Sequence, residues 1–294
     1  MNEEIPGVLS IEGQATQSLP LVLDSPHSGT RYPADFVHQA DPALLRQAED
    51  THVHTLWRGA PASGAVLLHA HFPRAYVDAN RAADDIDPSQ IDGEYPEPLR
   101  PSVKSRLGIG LCWTRVPPEG GPMYAQPLTA GQVLARVRTY HRPYQQALRT
   151  LLDASHARWG AVWHINCHSM QNHASAMSTQ PRGTARPDFV LGDLDGTSCD
   201  PAFTRTVADF LRERGHHVTI NDPYKGMELI RANGDPARQR HSMQIEVNRR
   251  LYMNEVTRQP HEGFDALQAT FTALTAHLSD HIGHVSTLFR RPES

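Results

Sequence analysis

The chain has 294 residues, of which 39% are hydrophobic and 20% charged. This composition is typical of a folded protein with a large core, and we expect a single α/β domain over residues 1–294. The formal net charge of -4 gives no electrostatic reason to bind nucleic acid or an anionic membrane surface. A small molecule is therefore the expected partner.

The cysteines and the start of the chain indicate where such a protein would work. Cys112, Cys167 and Cys199 are odd in number and include no CxxC pair, which argues against a disulfide framework or a thiolate zinc site. Residues 1–6 lack the basic start and apolar core of a signal peptide. Because no apolar run approaches the roughly 18 residues of a membrane span, we expect a soluble, cytoplasmic protein.

Hydrophobic patterning predicts strands and helices in alternation along the chain. The predicted strands cover residues 21–23, 64–72, 74–80, 161–167, 188–192, 218–221 and 244–248. The predicted helices cover residues 41–57, 129–159, 201–214 and 261–288, and Pro143 should kink or break the second helix. This alternation predicts a mixed, mainly parallel sheet flanked by helices on both faces.

Residues 84–121 differ in character from the rest of the chain. They are rich in proline and glycine and contain only brief apolar pieces. We expect a long irregular excursion, which is either a lid over a binding site or a plain surface insertion.

Two histidines stand where predicted strands end. His27 follows strand 21–23, and His168 follows strand 161–167. Ligands of open α/β sheets bind beyond the carboxyl ends of the strands, so these histidines could meet over a metal. Two histidines and a carboxylate leave the open position that catalytic zinc requires, although a structural hydrogen bond is the commoner role for one such histidine. Spacing alone leaves four candidate carboxylates: Asp24, Glu49, Asp50 and Asp78.

Glu246 lies inside a strand-like run in which Ile245 and Val247 face the opposite side. A buried glutamate is costly unless it is paired or functional, so a general base is one interpretation. A structural ion pair with Arg249 or another arginine is the alternative.

Several cations could hold an acidic substrate. Arg74 and Arg81 flank an extended segment, and the guanidinium fork matches a carboxylate. Lys225 and Arg115, each on a predicted loop, are weaker candidates for the same role. A solvated or ion-paired side chain is the ordinary alternative for all four.

Six short motifs follow one another between about residue 20 and about residue 255. They are Ser25-Pro26-His27-Ser28-Gly29 with Tyr32-Pro33, Val77-Asp78-Ala79-Asn80-Arg81, Asn166-Cys167-His168-Ser169-Met170, Gly192-Asp193-Leu194-Asp195-Gly196, Asn221-Asp222-Pro223-Tyr224-Lys225-Gly226 and Gln244-Ile245-Glu246-Val247-Asn248-Arg249-Arg250-Leu251-Tyr252-Met253. Together they resemble the N-formylglutamate amidohydrolase family, which is related in fold to zinc carboxypeptidases.

The resemblance implies a function for the chain and roles for its residues. It implies one Zn²⁺ or other divalent metal per chain and hydrolysis of N-formyl-L-glutamate to formate and L-glutamate, a step in histidine degradation. His27 and His168 match the metal histidines. Glu246 matches the general base, and Asn80 with Arg81 resembles the pair that holds a substrate carboxylate.

One departure concerns the acidic metal ligand. Zinc carboxypeptidases use an HxxE pattern, whereas Thr30 stands at the third position after His27. Asp50 is the position that best matches the acidic ligand of the formylglutamate family. Two other functions stay open: a deacylase of another N-acyl amino acid on the same fold, and a small-ligand-binding protein without catalysis.

Overall fold

The computed structural model describes residues 3–178 and 180–286, and its centre is one mixed β-sheet. The strands of this sheet are β1 (Glu3–Ile5), β2 (Leu9–Glu12), β3 (Leu21–Ser25), β4 (Val66–Ala70), β5 (Val162–Met170), β6 (Phe189–Gly192), β7 (Val218–Ile220) and β8 (Arg240–Asn248). They lie in the order β1-β2-β4-β3-β5-β8-β6-β7. The pairs β3–β4, β3–β5, β5–β8 and β6–β7 are parallel, while β1–β2, β2–β4 and β6–β8 are antiparallel. The predicted mixed, mainly parallel sheet is confirmed.

Helices cover both faces of the sheet. In the described part of the chain, the α-helices are α1 (Pro42–Leu45), α2 (Val53–Leu56), α3 (Val103–Arg106), α4 (Ala130–Arg136), α5 (Arg142–Trp159), α6 (Pro201–Glu213), α7 (Glu228–Asn233) and α8 (Gly263–Ser286). Buried residues of α2, α6 and α8 form an apolar core on one face, and those of α4, α5 and α7 pack on the other face. None of the described helices is long and apolar enough to cross a bilayer.

The central strands have one apolar face and one polar face, because side chains alternate along a strand. Ile165 of β5 and Ile245 of β8 belong to the apolar core with α2, α6 and α8. Asp24, Asn166 and Gln244 stand in register with one another on the opposite face. A row of polar groups therefore crosses the middle of the sheet.

These buried polar groups satisfy one another. Asp24 accepts hydrogen bonds from Tyr144 Oη and Asn166 Nδ2, each at 2.7 Å. His164 Nε2 lies 2.8 Å from Asp24 Oδ1, and His164 Nδ1 lies 2.6 Å from Ser242 Oγ. Because a buried polar group is costly unless it is hydrogen-bonded, this network is what allows a polar face to pack beneath α5.

The predicted helix over 41–57 is wrong as a continuous element. The chain forms α1 and α2 but leaves the helical path between them, where His52 adopts a left-handed φ of 70°. In this break the backbone N–H of Asp50 donates to the carbonyl oxygen of His27 at 2.9 Å. A tertiary hydrogen bond thus replaces a helical one and turns Asp50 inward.

The predicted strand over 74–80 is also wrong. The Tyr76 N–H closes a turn on the Pro73 carbonyl oxygen at 3.0 Å, and the Asp78 N–H donates to the Leu111 carbonyl oxygen at 2.7 Å. This segment therefore stays outside the sheet, and its apolar residues belong to the core that also contains Leu111 and Trp113 of the 84–121 excursion.

Residues 84–121 are largely irregular. They contain α3 and short two-residue strands, of which 91–92 pairs with 128–129 and 115–116 pairs with 121–122. The lid and the plain surface insertion both stay open as interpretations of this segment.

Two strands are longer than their apolar residues indicate. β5 continues through His168 to Met170, and β8 begins at Arg240 and pairs with β5 over its full length. Polar residues on the shared face interrupt the apolar pattern, which is why the sequence shows only part of each strand. His168 consequently lies inside β5, near its carboxyl end.

The longest predicted helix has the expected irregularity. α4 and α5 are joined by a π-helical turn at Val137–His141, immediately before Pro143. Proline has no N–H to donate to the preceding turn, so the wider turn takes the place of a sharp kink. The closing helix is present as α8, while the last two residues of its predicted range, 287–288, lie outside the described residues.

The packing of α8 on the sheet can be tested at Phe271. Its ring stacks on Trp57 with centroids 4.0 Å apart, and both side chains are buried. We expect Phe271→Ala to lower the free energy of unfolding by about 3–5 kcal/mol, because it removes apolar contacts and leaves a cavity. Urea denaturation followed by circular dichroism measures the change.

Val256→Ala is the control for this experiment, since Val256 is 87% exposed. Its effect should stay within about 0.5 kcal/mol. If Phe271→Ala changed stability as little as the control, α8 would not be packed as described.

Candidate functional site

His27, Asp50 and His168 converge at one end of the central strands. Asp50 Oδ2 lies 3.0 Å from His168 Nδ1 and 3.5 Å from His27 Nδ1. All three residues are buried, and one ligand atom from each lies within 4.8 Å of the others. Among the residues that the structure describes, this is the only such group of histidine, cysteine and acidic side chains. It could bind a metal ion.

Three different elements bring this group together. His27 lies just beyond the carboxyl end of β3, and His168 lies near the carboxyl end of the neighbouring strand β5. Asp50 reaches them from the break between α1 and α2. The site therefore stands where an open α/β sheet ordinarily binds its ligand.

The outer nitrogen of each histidine ring is held by a side-chain oxygen. His27 Nε2 lies 2.6 Å from Asp78 Oδ1, and His168 Nε2 lies 2.6 Å from Asn166 Oδ1. With the proton on Nε2, both rings turn an unprotonated Nδ1 toward Asp50, as proteins do to orient metal-binding histidines. The Nδ1 atom of His27 is buried and has no hydrogen-bond partner among the described residues. This donor set fits a divalent metal such as zinc.

The structure distinguishes among the four candidate carboxylates by their positions. Only Asp50 belongs to the converging group. Asp24 lies deeper, on the polar face of the sheet, and Glu49 accepts a hydrogen bond from Tyr32 Oη at 2.6 Å. Asp78 stands behind His27.

Asp78 connects His27 to an arginine. Its Oδ2 accepts hydrogen bonds from Arg74 Nε at 3.1 Å and Arg74 Nη2 at 2.8 Å. Burial opposes ionisation of this carboxyl, but Arg74 and His27 outweigh it and hold the pKa of Asp78 well below its usual range. Arg74 therefore supports the orientation of His27 through Asp78.

Arg249 fixes the other side of Asp50. Its Nη2 donates to Asp50 Oδ1 at 3.0 Å, and its Nε donates to Ser169 Oγ at 3.0 Å. Arg249 therefore pairs with Asp50, and among the described residues it forms no ion pair with Glu246.

Glu246 stands beside His168. The two residues are register partners in the parallel pair β5–β8, so their side chains emerge on the same face. Glu246 Oε1 accepts a hydrogen bond from Gln244 Nε2 at 2.9 Å, and no cation pairs with it within the described ranges. Burial raises the pKa of the Glu246 carboxyl, and nearby Asp50 acts in the same direction.

Glu246 lines a cavity of about 310 Å³ that is rich in basic residues. Arg74 lines it while pairing with Asp78, and its guanidinium lies 5.2 Å from the centre of the Trp113 ring. Arg81 also lines it and is 5% exposed. An anionic ligand suits this lining.

Asn80, which was also predicted to bind substrate, does not line the cavity. Asn80 is behind His168: its Nδ2 donates to Asn166 Oδ1 at 3.1 Å, and its Oδ1 accepts from the Leu229 N–H at 2.9 Å. Its amide is thus used within the protein and is absent from the cavity lining.

The remaining two predicted cations are exposed. Arg115 is absent from the cavity lining and donates to the Gly120 carbonyl oxygen at 3.4 Å. Lys225 lines the cavity, but its Nζ pairs with Asp195 at 2.8 Å and its side chain is 57% exposed.

Sequence reasoning missed three residues of this region. Asn166 was detectable in principle, because it shares the period-two face of β5 with His168. Lys104 and Arg186 line the cavity from α3 and from the loop before β6, where no periodic pattern marks an inward-facing side chain.

The fold and the site together define an α/β protein with a candidate metal site beside a cationic cavity, an arrangement suited to metal-assisted hydrolysis. The chain belongs to the N-formylglutamate amidohydrolase family, whose sequence profile matches residues 19–253. The resemblance carried by the six motifs is thereby confirmed.

Individual relatives agree with this assignment. The crystal structure of N-formylglutamate amidohydrolase from Ralstonia eutropha JMP134 matches with a TM-score of 0.90 at 47% sequence identity, over 95% of this chain and 99% of that chain. An N-formylglutamate deformylase from Pseudomonas aeruginosa is 30% identical over 246 residues, and one from Pseudomonas putida is 29% identical over 244 residues. Each match covers 81% of this chain and 83% of the relative.

The support that Asp78 gives to the site can be measured as stability. We expect Asp78→Ala, in protein freed of metal by chelation, to lower the free energy of unfolding by about 3–5 kcal/mol, because Arg74 is left partly buried without its carboxylate. Urea denaturation of both proteins measures the difference.

Asp153→Ala is the matched control, since Asp153 is 58% exposed and also pairs with an arginine, Arg240, at 2.7 Å. Its effect should be about 0–1 kcal/mol. Equal losses in the two variants would show that burial adds nothing to the Asp78 pair.

Proposed function

We propose that the protein hydrolyses N-formyl-L-glutamate to formate and L-glutamate. Family membership supports the reaction class, and the Pseudomonas relatives bear the name N-formylglutamate deformylase. The observation that carries the proposal is the position of Glu246, beside His168 and on the wall of a cationic cavity. The substrate is an acidic small molecule, which such a cavity attracts.

His27, Asp50 and His168 would hold one divalent metal, which we take to be Zn²⁺, through two nitrogens and an oxygen. When bound, such a metal supplies Lewis acidity, polarising the amide carbonyl and lowering the pKa of a water molecule. Asp78 and Asn166 keep both histidines in the required orientation.

Glu246 is the proposed general base. It takes a proton from the attacking water as the new C–O bond forms at the formyl carbon. It then delivers a proton to the departing amine as the C–N bond breaks. A raised pKa suits this exchange, because proton transfer is most effective when the pKa of the base approaches the working pH.

Arg81 is the proposed anchor for one substrate carboxylate. Its Nε and Nη1 atoms are buried without hydrogen-bond partners among the described residues, and the residue lines the cavity. A guanidinium in this state gains charge-assisted hydrogen bonds when a carboxylate arrives. We further propose a cytoplasmic location, and a role in histidine degradation that depends on the family resemblance alone.

The metal is tested by His168→Ala. We expect wild-type protein dialysed against zinc to retain about one ion per chain and the variant to retain almost none, since one of three ligands is lost. Atomic absorption measures the content, and formate release from N-formyl-L-glutamate with and without chelator measures the dependence on metal.

His277→Ala controls for the loss of a histidine, because His277 is exposed on α8, away from the site. Its zinc content and activity should equal those of the wild type. Undiminished zinc in His168→Ala would remove His168 from the ligand set, and chelator-resistant formate release would remove the metal from the reaction.

The general base is tested by Glu246→Gln, which keeps the shape of the side chain but abolishes proton acceptance. We expect kcat to fall by about 100- to 10,000-fold with zinc content unchanged. Glu213→Gln, an exposed change at the end of α6, should retain full activity. A Glu246→Gln enzyme with wild-type kcat would refute the role.

A further inference from the structure

The cavity beside Glu246 carries more positive charge than nearby acids neutralise. Its basic lining residues are Arg74, Arg81, Lys104, Arg186, Lys225 and Arg249, whereas Glu246 is its only carboxylate among the described residues. Half of these cations have an acid of their own. The pairs are Arg74 with Asp78, Lys225 with Asp195 and Arg249 with Asp50.

The other three cations are not neutralised in this way. Arg81 comes no nearer to a carboxylate than 4.0 Å, from its Nε to Asp78 Oδ2. Arg186 donates to neutral acceptors, such as the Gln171 carbonyl oxygen at 3.2 Å. Lys104 Nζ makes no hydrogen bond or ion pair in the part of the chain that the structure describes.

Uncompensated cations in a partly desolvated cavity are costly. Burial lowers the pKa of Lys104, and repulsion from Arg81, Arg74 and Arg186 lowers it further, so these groups feel one another's charge. A ligand with one carboxylate would neutralise only part of this excess. A ligand with two carboxylates would neutralise more of this positive charge.

We propose, building on the proposed function, that Lys104 and Arg186 form a second carboxylate subsite that selects dicarboxylic N-acyl amino acids. Arg81 lies close to Asp78, and Asp78 contacts His27, so Arg81 is placed for the α-carboxylate next to the scissile amide. Lys104 and Arg186 come from other elements, α3 and the loop before β6, and take the second, side-chain carboxylate.

The subsite assigns a task to the 84–121 excursion. α3 is a four-residue helix within this irregular segment, and it carries Lys104 to the cavity. On this account the excursion supplies substrate selectivity, whereas the sheet supplies the metal site and the general base.

Lys104→Met tests the subsite, because methionine keeps the length of the side chain and removes its charge. The measurement is kcat and KM for formate release from N-formyl-L-glutamate and N-formyl-L-glutamine, which differ only in the terminal carboxylate. We expect kcat/KM for the glutamate substrate to fall about 10- to 100-fold, mainly through KM. The kcat/KM for the glutamine substrate should change less than about twofold. Lys104→Arg, which keeps the positive charge, should retain the preference for glutamate.

Arg106→Met is the matched control on the same helix, since Arg106 is exposed and does not line the cavity. It should keep wild-type selectivity. If the wild-type enzyme hydrolyses N-formyl-L-glutamate but Lys104→Met keeps the wild-type ratio of kcat/KM between the glutamate and glutamine substrates, only the subsite is overturned. Failure of the wild-type enzyme to release formate from N-formyl-L-glutamate would instead overturn the proposed function. Arg186→Gln gives a second measurement and should shift the ratio in the same direction.

Discussion

The arrangement of the site depends on the buried carboxylate of Asp50. Although burial opposes its ionisation, the His168 and His27 side chains that face it hold the pKa of Asp50 well below its usual range. One oxygen faces the two histidines, and the other accepts a hydrogen bond from Arg249. A buried carboxylate needs partners of this kind to stay charged. The break between α1 and α2 is the backbone feature that places the carboxylate beside these partners.

The charges around Asp50 are arranged in compensated pairs. Asp50 faces Arg249, and Asp78 faces Arg74, so the two acids nearest to the histidines are each balanced by an arginine. A divalent cation at the site would therefore add a nearly uncompensated positive charge beside a cavity that is already cationic. A chain with a formal net charge of -4 thus contains a cavity with a basic lining, which attracts anionic ligands locally.

Features that depend on local sequence patterns could be predicted. The strand before His27 and the mixed sheet follow from apolar runs separated by turn residues and helices. The departure at residues 41–57 could not be predicted, because a hydrogen bond to the distant His27 outweighs the helical preference of the segment. For the same reason, spacing could not separate Asp50 from the other acids, and only the family resemblance favoured it. Lys104 gave no signal, since its position depends on the tertiary path of an irregular segment.

The buried network of Asp24, His164 and Ser242 has a consequence for inhibitor chemistry. Its order of hydrogen bonds, from acid to imidazole to hydroxyl, is that of a serine hydrolase triad. These side chains are at most 1% exposed, so no acyl donor can reach the hydroxyl of Ser242. Covalent reagents for serine hydrolases therefore have no target in this network. The basic cavity beside Glu246 instead offers complementary charge to reagents with anionic groups.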